Sequence, residues 1–248
     1  VEMAERAINM GFKLMIDFHY SDYWADPEKQ FKPKAWESHS FKELVNDVST
    51  HTKEVLIALK EKNIYPEWVQ VGNEIPNGML WPEGKIENFD KLSKLLNSGY
   101  DAVKDVLPSS KVIIYLDQGD DRKRFIEFFD NHTANGGKYD VIGVSYYPYW
   151  VNKNYKETID NLMNNLNEYI DRYEKEVMVC EIGGEDTEVE DTYNMLKEVI
   201  QRVREIPEGK GLGVFYWEPE GAFNWSQYKL SAWRSDGKPS KALDAFID

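Results

Sequence analysis

Residues 68–74 read WVQVGNE, a short apolar run that stops abruptly on Asn73 and Glu74. An apolar run of this length, rich in β-branched and aromatic residues, is typical of a buried β-strand. The same pattern recurs at KLMIDF (13–18), KVIIYL (111–116), DVIGVS (140–145), EVMVC (176–180) and LGVFYW (212–217). The sequence therefore predicts six buried strands.

Longer amphipathic stretches separate these strands. Helical spacing of apolar residues predicts helices over residues 41–62, 89–107, 155–173 and 192–206. Strands that alternate with helices indicate βαβ units and a parallel sheet. No strand is followed by a glycine-rich phosphate loop, which disfavours a nucleotide-binding doubly wound fold. We interpret the polar segment 131–138 as a loop between a helix and a strand.

Polar and aromatic residues follow the strands directly. They are His19, Tyr20, Asp22, Asn73, Glu74, Asp117, Gln118, Tyr146, Tyr147, Glu181 and Glu218. In (β/α)8 barrels the active site is built from residues at the carboxyl ends of the strands. The pattern therefore predicts an α/β chain of the TIM-barrel type, forming one catalytic domain over residues 1–248.

The number of strands differs from that of a closed barrel. A (β/α)8 barrel has eight strands, whereas the sequence predicts six. The opening residues 1–7, VEMAERA, are typical of the inside of an amphipathic helix that leads into the first predicted strand. We therefore expect about two βα units of the barrel to lie upstream of this chain.

Composition narrows the classes of partner. The chain of 248 residues has a formal net charge of −14, so nucleic acid and anionic lipid would repel it. The chain has one cysteine, Cys180, which excludes an intrachain disulfide. The sequence has no cluster of His and Cys residues, so a structural zinc site is not expected. No apolar run predicts membrane insertion. Aromatic residues make up 14% of the chain and can provide platforms for sugar rings.

Two glutamates are the leading candidates for chemistry. Glu74 and Glu181 each end an apolar strand. A carboxylic acid in a partly dehydrated site has a raised pKa and can act as a general acid. Asn73 can bind a sugar hydroxyl beside the scissile bond, although an Asn-Glu pair is also common where a helix begins. Retaining glycosidases place two carboxyl groups roughly 5–5.5 Å apart, which opposite strand ends of a barrel can provide.

Aromatic residues near the strand ends are candidates for substrate contact. In the segment 146–150, YYPYW, one tyrosine can donate a hydrogen bond to the nucleophile, while the others and Trp150 line a cleft. Trp217 can form the floor under the sugar. The loop 19–36 contributes His19, Asp22 and Trp24, although His19 can instead orient a neighbouring group. Packing in the interior remains the alternative for the aromatic residues.

Several segments together resemble glycoside hydrolase family 53, the endo-β-1,4-galactanases. The residues that carry the resemblance are DFHYSDYWADP at 17–27, WVQVGNEI at 68–75, GMLWP at 78–82, SYYPYW at 145–150 and GVFYWEP at 213–219. The resemblance extends over the whole chain, and the tail from Gly237 to Phe246 looks like the family's final helix.

The resemblance implies a (β/α)8 barrel in which the acid/base follows strand 4 and the nucleophile ends strand 7. These roles correspond to Glu74 and Glu181 here. It also implies endo-hydrolysis of the β-1,4-galactan side chains of pectin with retention of configuration. The substrate-binding set that we predict is His19, Asp22, Trp24, Asn73, Trp81, Asp117, Tyr146, Tyr147, Trp150, Trp217 and Glu218.

We expect no required cofactor and no bound metal. Some bacterial members of the family bind calcium in a longer loop after the nucleophile. In this chain the corresponding segment is short and carries Glu185, Asp186, Glu188 and Asp191. These residues can bind calcium, but the sequence favours a solvated run of charge.

Two alternatives remain open at this point. One is another β-glycanase of the same clan, such as a cellulase or mannanase, since the strand-end glutamates would be the same. The other is a catalytically impaired barrel fragment that binds glycans. The expected partners are galactan and galacto-oligosaccharides, the expected location is extracellular, cell-surface or periplasmic, and a complete barrel would be a monomer.

Overall fold

The structure is a computed structural model that describes residues 1–247. Its helices are α1 (Glu2–Asn9), α2 (Phe41–Lys60), α3 (Phe89–Val106), α4 (Arg122–Ala134), α5 (Tyr155–Tyr173), α6 (Val189–Arg204) and α7 (Phe223–Ser226). Its strands are β1 (Met15–Phe18), β2 (Trp68–Val71), β3 (Gly78–Met79), β4 (Gly84–Lys85), β5 (Lys111–Leu116), β6 (Val141–Tyr146), β7 (Glu176–Ile182) and β8 (Gly211–Tyr216). All six predicted strands are confirmed.

The chain divides into two compact units. Unit 1 comprises residues 1–116 and 124–141, and unit 2 comprises residues 117–123 together with the chain from residue 142 onward. The carboxyl end of β2, with Glu74, lies in unit 1, and the carboxyl end of β7, with Glu181, lies in unit 2. Each unit is therefore described by itself.

Unit 1 is built on parallel strands in the order β1-β2-β5. Met15 pairs with Trp68, and Trp68 pairs with Lys111, so the three strands run in step. All but the first residue of β2 and of β5 are buried, as expected for parallel strands whose two faces are both covered. Helices α2 and α3 pack against each other, and α2 begins with a capping box between Ser40 and Glu43.

Unit 2 contains the strand order β6-β7-β8. Strand β7 pairs in parallel with β8, with irregular register between Val177 and Ile182. Helix α6 packs against β8 and against a 3-10 helix, Lys241–Phe246, near the end of the chain. The final helical segment expected from the resemblance is thus present in 3-10 form.

Some local expectations need correction. Helix α4 continues to Ala134, so only the second half of the segment 131–138 is a loop. Helix α6 begins at Val189, three residues before the predicted start. The antiparallel pair of β3 and β4 was not predicted, because two-residue strands have no measurable periodicity. Across residues 1–247, no helix has the length and apolar character needed to cross a membrane.

Candidate active site

Glu74 lies on a sharply turned backbone just beyond β2. Gly72 has a φ of +85° and Glu74 a φ of +43°, so the chain turns through the left-handed region twice within three residues. The Gly72 amide donates to the Phe18 carbonyl at 3.0 Å, and the Ile75 amide donates to the Tyr115 carbonyl at 3.2 Å. Hydrogen bonds to both neighbouring strands therefore fix the turn that presents Glu74.

The Glu74 carboxylate has a tyrosine partner within unit 1. The Tyr115 hydroxyl donates to Glu74 Oε1 at 3.3 Å, and Glu74 is half-buried. Tyr115 is a fully buried residue of β5. Tyr115 was not among the predicted site residues; the signal available in the sequence was the single hydroxyl-bearing side chain of the strand KVIIYL.

The backbone around Glu74 is also held by Gln30, a second residue that was not among the predicted site residues. Gln30 is 2% exposed, and its Nε2 donates to the carbonyls of Asp26 (3.1 Å), Asn73 (2.7 Å) and Glu74 (3.0 Å). An amide nitrogen carries two hydrogens, so one hydrogen is shared between two of the three carbonyls. Gln30 thus ties the loop 19–36 to the turn that carries the glutamate.

Asn73 strengthens the same connection. Its Nδ2 donates to the Ala25 carbonyl at 2.8 Å, and its Oδ1 accepts from Gln70 Nε2 at 3.2 Å. The side chain is buried. The amide nitrogen carries a second hydrogen. The contact with a sugar hydroxyl that is predicted for Asn73 would have to use that hydrogen.

His19 orients the loop through both ring nitrogens. The Ala25 amide donates to His19 Nδ1 at 3.0 Å, so Nε2 carries the hydrogen and donates to Asp17 Oδ2 at 3.1 Å. Burial raises the pKa of Asp17, while the hydrogen bond from His19 opposes that rise. These contacts match the orienting role that the sequence left open for His19.

The loop 19–36 presents aromatic side chains at its surface. Tyr23 and Trp24 are 81% and 67% exposed, and the Trp24 ring stands edge-on to His19 at 5.7 Å. Asp22 Oδ2 accepts from the Lys34 amide at 2.7 Å, which closes the loop on itself. Of the predicted contact residues here, Trp24 is thus the one with a large exposed face.

Trp81 is held in place from several sides. Its Nε1 donates to the Asn77 carbonyl at 3.0 Å. The Lys85 ammonium lies 5.0 Å from the centre of its ring, and the Phe31 ring approaches edge-on at 5.8 Å. Its own amide donates to the Gln30 carbonyl at 2.8 Å. Gln30 therefore links Trp81 as well as Glu74 to the loop.

In unit 2 the Glu181 carboxylate is the central group. Glu181 lies within β7 and is 9% exposed. The Tyr147 hydroxyl donates to Glu181 Oε2 at 3.1 Å. A hydrogen bond to the charged form of a carboxyl favours its ionisation. The sequence predicted that one tyrosine of the segment 146–150 would make this bond, and the structure identifies it as Tyr147.

The neighbouring Tyr146 faces the interior of unit 2. It is fully buried, and its hydroxyl contacts the Tyr155 carbonyl at 3.1 Å and Thr158 Oγ1 at 2.8 Å. Side chains alternate along a strand, so consecutive tyrosines at a strand end point to opposite sides. This interior placement differs from the substrate contact expected for Tyr146.

The remaining predicted residues of unit 2 vary in exposure. Trp150 is 61% exposed, and Tyr149 packs edge-on against it at 4.8 Å. Asp117 is buried. The Trp217 amide donates to the Ile182 carbonyl at 3.0 Å, which places half-buried Trp217 beside the end of β7. Glu218 is exposed and has a φ of +48°.

The acidic segment after Glu181 is held by bonds to its own surroundings. Asp191 Oδ2 accepts from Asn154 Nδ2 at 2.8 Å, and the Glu185 carbonyl accepts from Thr192 Oγ1 at 3.1 Å. The Asp186 amide donates to the Lys229 carbonyl at 2.9 Å. Within the described chain, residues 1–247, no three His, Cys, Asp or Glu side chains are grouped so as to hold a metal ion.

One arrangement recurs in both units. A strand of a parallel sheet leads to a glutamate whose carboxylate accepts a hydrogen bond from a tyrosine hydroxyl. Carboxylates at the ends of strands are the groups that glycoside hydrolases use for catalysis. Parallel strands that alternate with helices and carry glutamates at their carboxyl ends are typical of the glycoside hydrolase class.

The chain belongs to glycosyl hydrolase family 53, whose model matches residues 1–244. It is 38% identical over 250 residues to an uncharacterized protein in the bgaB 5' region of Niallia circulans, covering 88% of this chain and 67% of that protein. It is 32% identical over 240 residues to arabinogalactan endo-beta-1,4-galactanase A of Aspergillus niger, covering 88% of this chain and 68% of that enzyme.

Solved structures agree with this assignment. The Ignisphaera aggregans GH53 catalytic domain matches with a TM-score of 0.89 and 32% identity, covering 99% of this chain and 76% of that one. A structure from a study of two fungal beta-1,4-galactanases matches with a TM-score of 0.88 and 29% identity, covering 99% and 80%. The expected fold class, an α/β chain of the (β/α)8-barrel type, is thereby confirmed.

Proposed function

We propose that this chain hydrolyses internal bonds of β-1,4-galactan with retention of configuration at the anomeric carbon. The observation that carries the proposal is the match of residues 1–244 to family 53, together with a relative whose name states that activity. The predicted residues that bear on the reaction are Glu74 and Glu181, each supported by contacts within its own unit.

Glu181 is proposed as the nucleophile. One carboxylate oxygen attacks the anomeric carbon, the bond to the leaving oxygen breaks, and a covalent glycosyl-enzyme forms. The attacking group must be ionised and aimed. The hydrogen bond from Tyr147 to Oε2 supports both requirements, because it stabilises the charge and restricts the direction in which the carboxylate points.

Glu74 is proposed as the acid/base. It gives its proton to the leaving oxygen in the first step and takes a proton from water in the second, which releases the sugar from Glu181. A group that changes its protonation twice in each cycle must exchange with solvent. The half-burial of Glu74 and its long bond from Tyr115, at 3.3 Å, suit that requirement.

Several aromatic residues are proposed to contact sugar rings. The exposed Trp24 and Trp150 offer ring faces, and Trp81 and Trp217 offer partly buried ones. Asp22, Asn73, Asp117, Tyr147 and Glu218 provide polar groups, whereas His19 and Tyr146 act by holding neighbours in place. A neutral polymer also suits a chain with a net charge of −14, because it is not repelled.

The chemistry of the substrate bears on location and partners. We propose an extracellular, cell-surface or periplasmic setting, because a pectic polymer does not enter the cytosol. The expected partners are galactan and the galacto-oligosaccharides released from it, with no nucleic acid, no required cofactor and no second copy of the chain.

The test is hydrolysis of linear β-1,4-galactan, with mannan, xylan and cellulose as comparison substrates. We expect short galacto-oligosaccharides from galactan alone, and proton NMR of the first product formed should show the β anomer. An α product would contradict the double displacement. Cleavage of a different polymer would favour another β-glycanase of the clan. Binding of galactan without hydrolysis would favour a glycan-binding role.

A further inference from the structure

We propose that Asp17 is a positioning residue for Asn73, which it holds in place through His19 and Ala25. The inference rests on the proposed function, because it takes Asn73 as a residue that binds a sugar hydroxyl. Asp17 is the third residue of β1, and Asn73 lies two residues beyond the end of β2. Within unit 1, hydrogen bonds and strand pairing connect the two residues in a closed circuit.

The ring of His19 is the first link. The Ala25 amide donates to His19 Nδ1 at 3.0 Å, so Nδ1 is the unprotonated nitrogen of a neutral ring. The hydrogen is therefore on Nε2, which donates to Asp17 Oδ2 at 3.1 Å. A carboxylate acceptor at Nε2 favours this tautomer and strengthens Nδ1 as an acceptor. Asp17 thus stabilises the bond between the ring and the Ala25 amide.

The backbone of Ala25 is the second link. Ala25 is buried, and while its amide donates to His19, its carbonyl accepts from Asn73 Nδ2 at 2.8 Å. Because both groups belong to one residue, a ring that fixes the amide also restricts the carbonyl. The preceding residue, Trp24, stands edge-on to the same ring at 5.7 Å. The ring of His19 therefore contacts a proposed sugar platform as well as the residue that holds Asn73.

Gln70 completes the circuit from the neighbouring strand. Its Nε2 donates to Asn73 Oδ1 at 3.2 Å, and both side chains are buried. Gln70 is the register partner of Asp17 in the parallel pair β1-β2, so the two side chains lie on the same face of the sheet. The side-chain amide of Asn73 is therefore held at its oxygen from β2 and at its nitrogen from the loop 19–36.

This arrangement determines where the second hydrogen of Asn73 points. The side-chain amide is planar, so the bond from one hydrogen to the Ala25 carbonyl sets the direction of the other. That other hydrogen is the one that would bind a sugar hydroxyl beside the scissile bond. Without an acceptor at position 17, the ring of His19 is less restricted, and so is the amide of Asn73. The bond to the sugar then forms less often.

The experiment compares wild type, Asp17→Leu, Asp17→Asn and Asp140→Leu. Leucine has nearly the shape of aspartate but no acceptor, whereas asparagine keeps one oxygen that can accept from His19 Nε2. Asp140 is the matched control, because its side chain is 26% exposed against 21% for Asp17. It also lies in unit 1, where it accepts from the Val112 amide at 2.8 Å near the amino end of β5.

The kinetic readout is kcat/KM on galactan. We expect Asp17→Leu to lower it about 2–10-fold, the range that one neutral hydrogen bond controls. Asp17→Asn should restore most of the loss, because the acceptor for His19 returns. Asp140→Leu should lower the thermal midpoint and leave kcat/KM unchanged. A loss of kcat/KM in Asp140→Leu equal to that in Asp17→Leu overturns the inference, since it would show that any destabilised variant of unit 1 behaves in this way.

Nitrogen NMR follows the circuit independently of activity. In wild type, the His19 ring should carry its proton on Nε2, with its signals assigned through His19→Gln. Asp17→Leu should populate the other tautomer and shift the side-chain amide signals of Asn73, which are assigned through Asn73→Ala. Asp17→Asn should keep both sets of signals close to wild type. Asn73 signals that do not move in Asp17→Leu overturn the inference.

A double variant tests whether Asp17 acts through Asn73. If it does, Asp17→Leu combined with Asn73→Ala has the same kcat/KM as Asn73→Ala alone. Losses that add in the double variant contradict the proposal. Failure of the proposed function would look different: wild type would leave galactan uncut, while the NMR signals would still report the link from Asp17 to Asn73.

Discussion

The two glutamates are held by different kinds of structure. Glu181 lies within strand β7, is 9% exposed, and receives a hydroxyl at 3.1 Å from the residue that follows β6. Glu74 lies beyond the end of its strand on a left-handed backbone with a φ of +43°. Its carboxylate receives a hydroxyl at 3.3 Å, and its carbonyl is held by Gln30 from a loop.

This difference matches the two roles proposed for them. A nucleophile must keep one charge and one direction, which a strand ladder and a short donor provide. An acid/base must gain and lose a proton in every cycle, which half-burial and a looser donor permit. As a consequence, the position of Glu74 depends on the loop 19–36, which is also proposed to contact the substrate. The position of Glu181 does not depend on that loop.

The largest expected effect is the loss of activity when either glutamate is replaced. Substrates with poor and good leaving groups should distinguish the two replacements. Glu181→Gln should lower the hydrolysis of both galactan and an activated aryl β-galactobioside by more than about 10⁴-fold, because no covalent intermediate can form. Glu74→Gln should lose about 10²–10⁴-fold on galactan. On the aryl substrate it should keep a rapid first step, because a good leaving group needs no proton. Burst kinetics measures that step.

The control for this pair is Glu61→Gln, an exposed residue at the end of α2. It should behave as wild type with both substrates. Equal losses in Glu74→Gln and Glu181→Gln on the aryl substrate would abolish the distinction between the two sites. Azide added to the alanine variants checks the assignment, since it should give the α-azide with Glu181→Ala and the β-azide with Glu74→Ala.

The next effect concerns stability in acid. His132 in unit 1 packs beside Phe128 and Tyr139, and burial lowers its pKa from 6.5 to about 4. The unfolded chain therefore binds this proton more readily than the folded one. Stability is full above about pH 6.5 and falls as pH drops towards 4, by roughly 3 kcal/mol in total. Denaturant unfolding at stepped pH measures the loss.

His132→Phe should flatten that slope, because the side chain no longer titrates. Its absolute stability should change as well, since Ser93 Oγ loses its partner at Nδ1, 2.9 Å away. This variant sharpens the comparison of the two glutamates, because it separates the acid limb of activity from unfolding of the unit that carries Glu74. An unchanged slope between pH 6.5 and 4 would contradict the role given to His132.

Gln30→Ala should affect Glu74 through its backbone. Three carbonyls lose a donor, which costs about 1–3 kcal/mol of unfolding free energy. Because one of these carbonyls belongs to Glu74, the acid/base step should slow more than the aryl-substrate burst. Gln201→Ala, an exposed change in α6, is the matched control. Lower stability with unaltered kcat would show that Gln30 contributes to the stability of the fold and not to catalysis.

The smallest effect contrasts the two tyrosine hydroxyls. Tyr147→Phe removes a donor to Glu181, so its carboxyl ionises less readily and the acidic limb of kcat/KM should move to higher pH. Tyr115→Phe does the same to Glu74, which acts as the acid, so the alkaline limb should move to higher pH. Each shift should reach about one unit at most. Both variants moving the same limb would contradict the assignment of roles.

The sequence predicted the elements of the fold closely. Five of the six long strands are each preceded by an amphipathic segment that is recognisable in the sequence. The predicted strand KVIIYL matches β5 at both ends. Helix α4 was not predicted along its full length, because Asn131 and Thr133 near its end are typical loop residues. The β3-β4 pair depends on contacts between chain segments, which local pattern does not contain.

The site was predictable only in part. Glu74 and Glu181 stand out because each follows an apolar run. Of their partners, the segment that holds Tyr147 was predicted because it follows a strand, whereas Tyr115 lies inside β5, 41 residues from Glu74, and was not. Tyr146 shows the converse: a residue type suited to sugar contact has its hydroxyl taken up by bonds inside its own unit. Chain folding decides such cases.

Gln30 has a consequence for how this enzyme can change. The loop 19–36 displays Trp24 to the outside and, six residues later, holds the carbonyls of Asn73 and Glu74. With the roles proposed for Trp24 and Glu74, one segment therefore influences both substrate preference and catalytic geometry. A graft that replaces this loop to alter specificity must carry a glutamine at the corresponding position, or the new recognition surface arrives with a displaced acid/base.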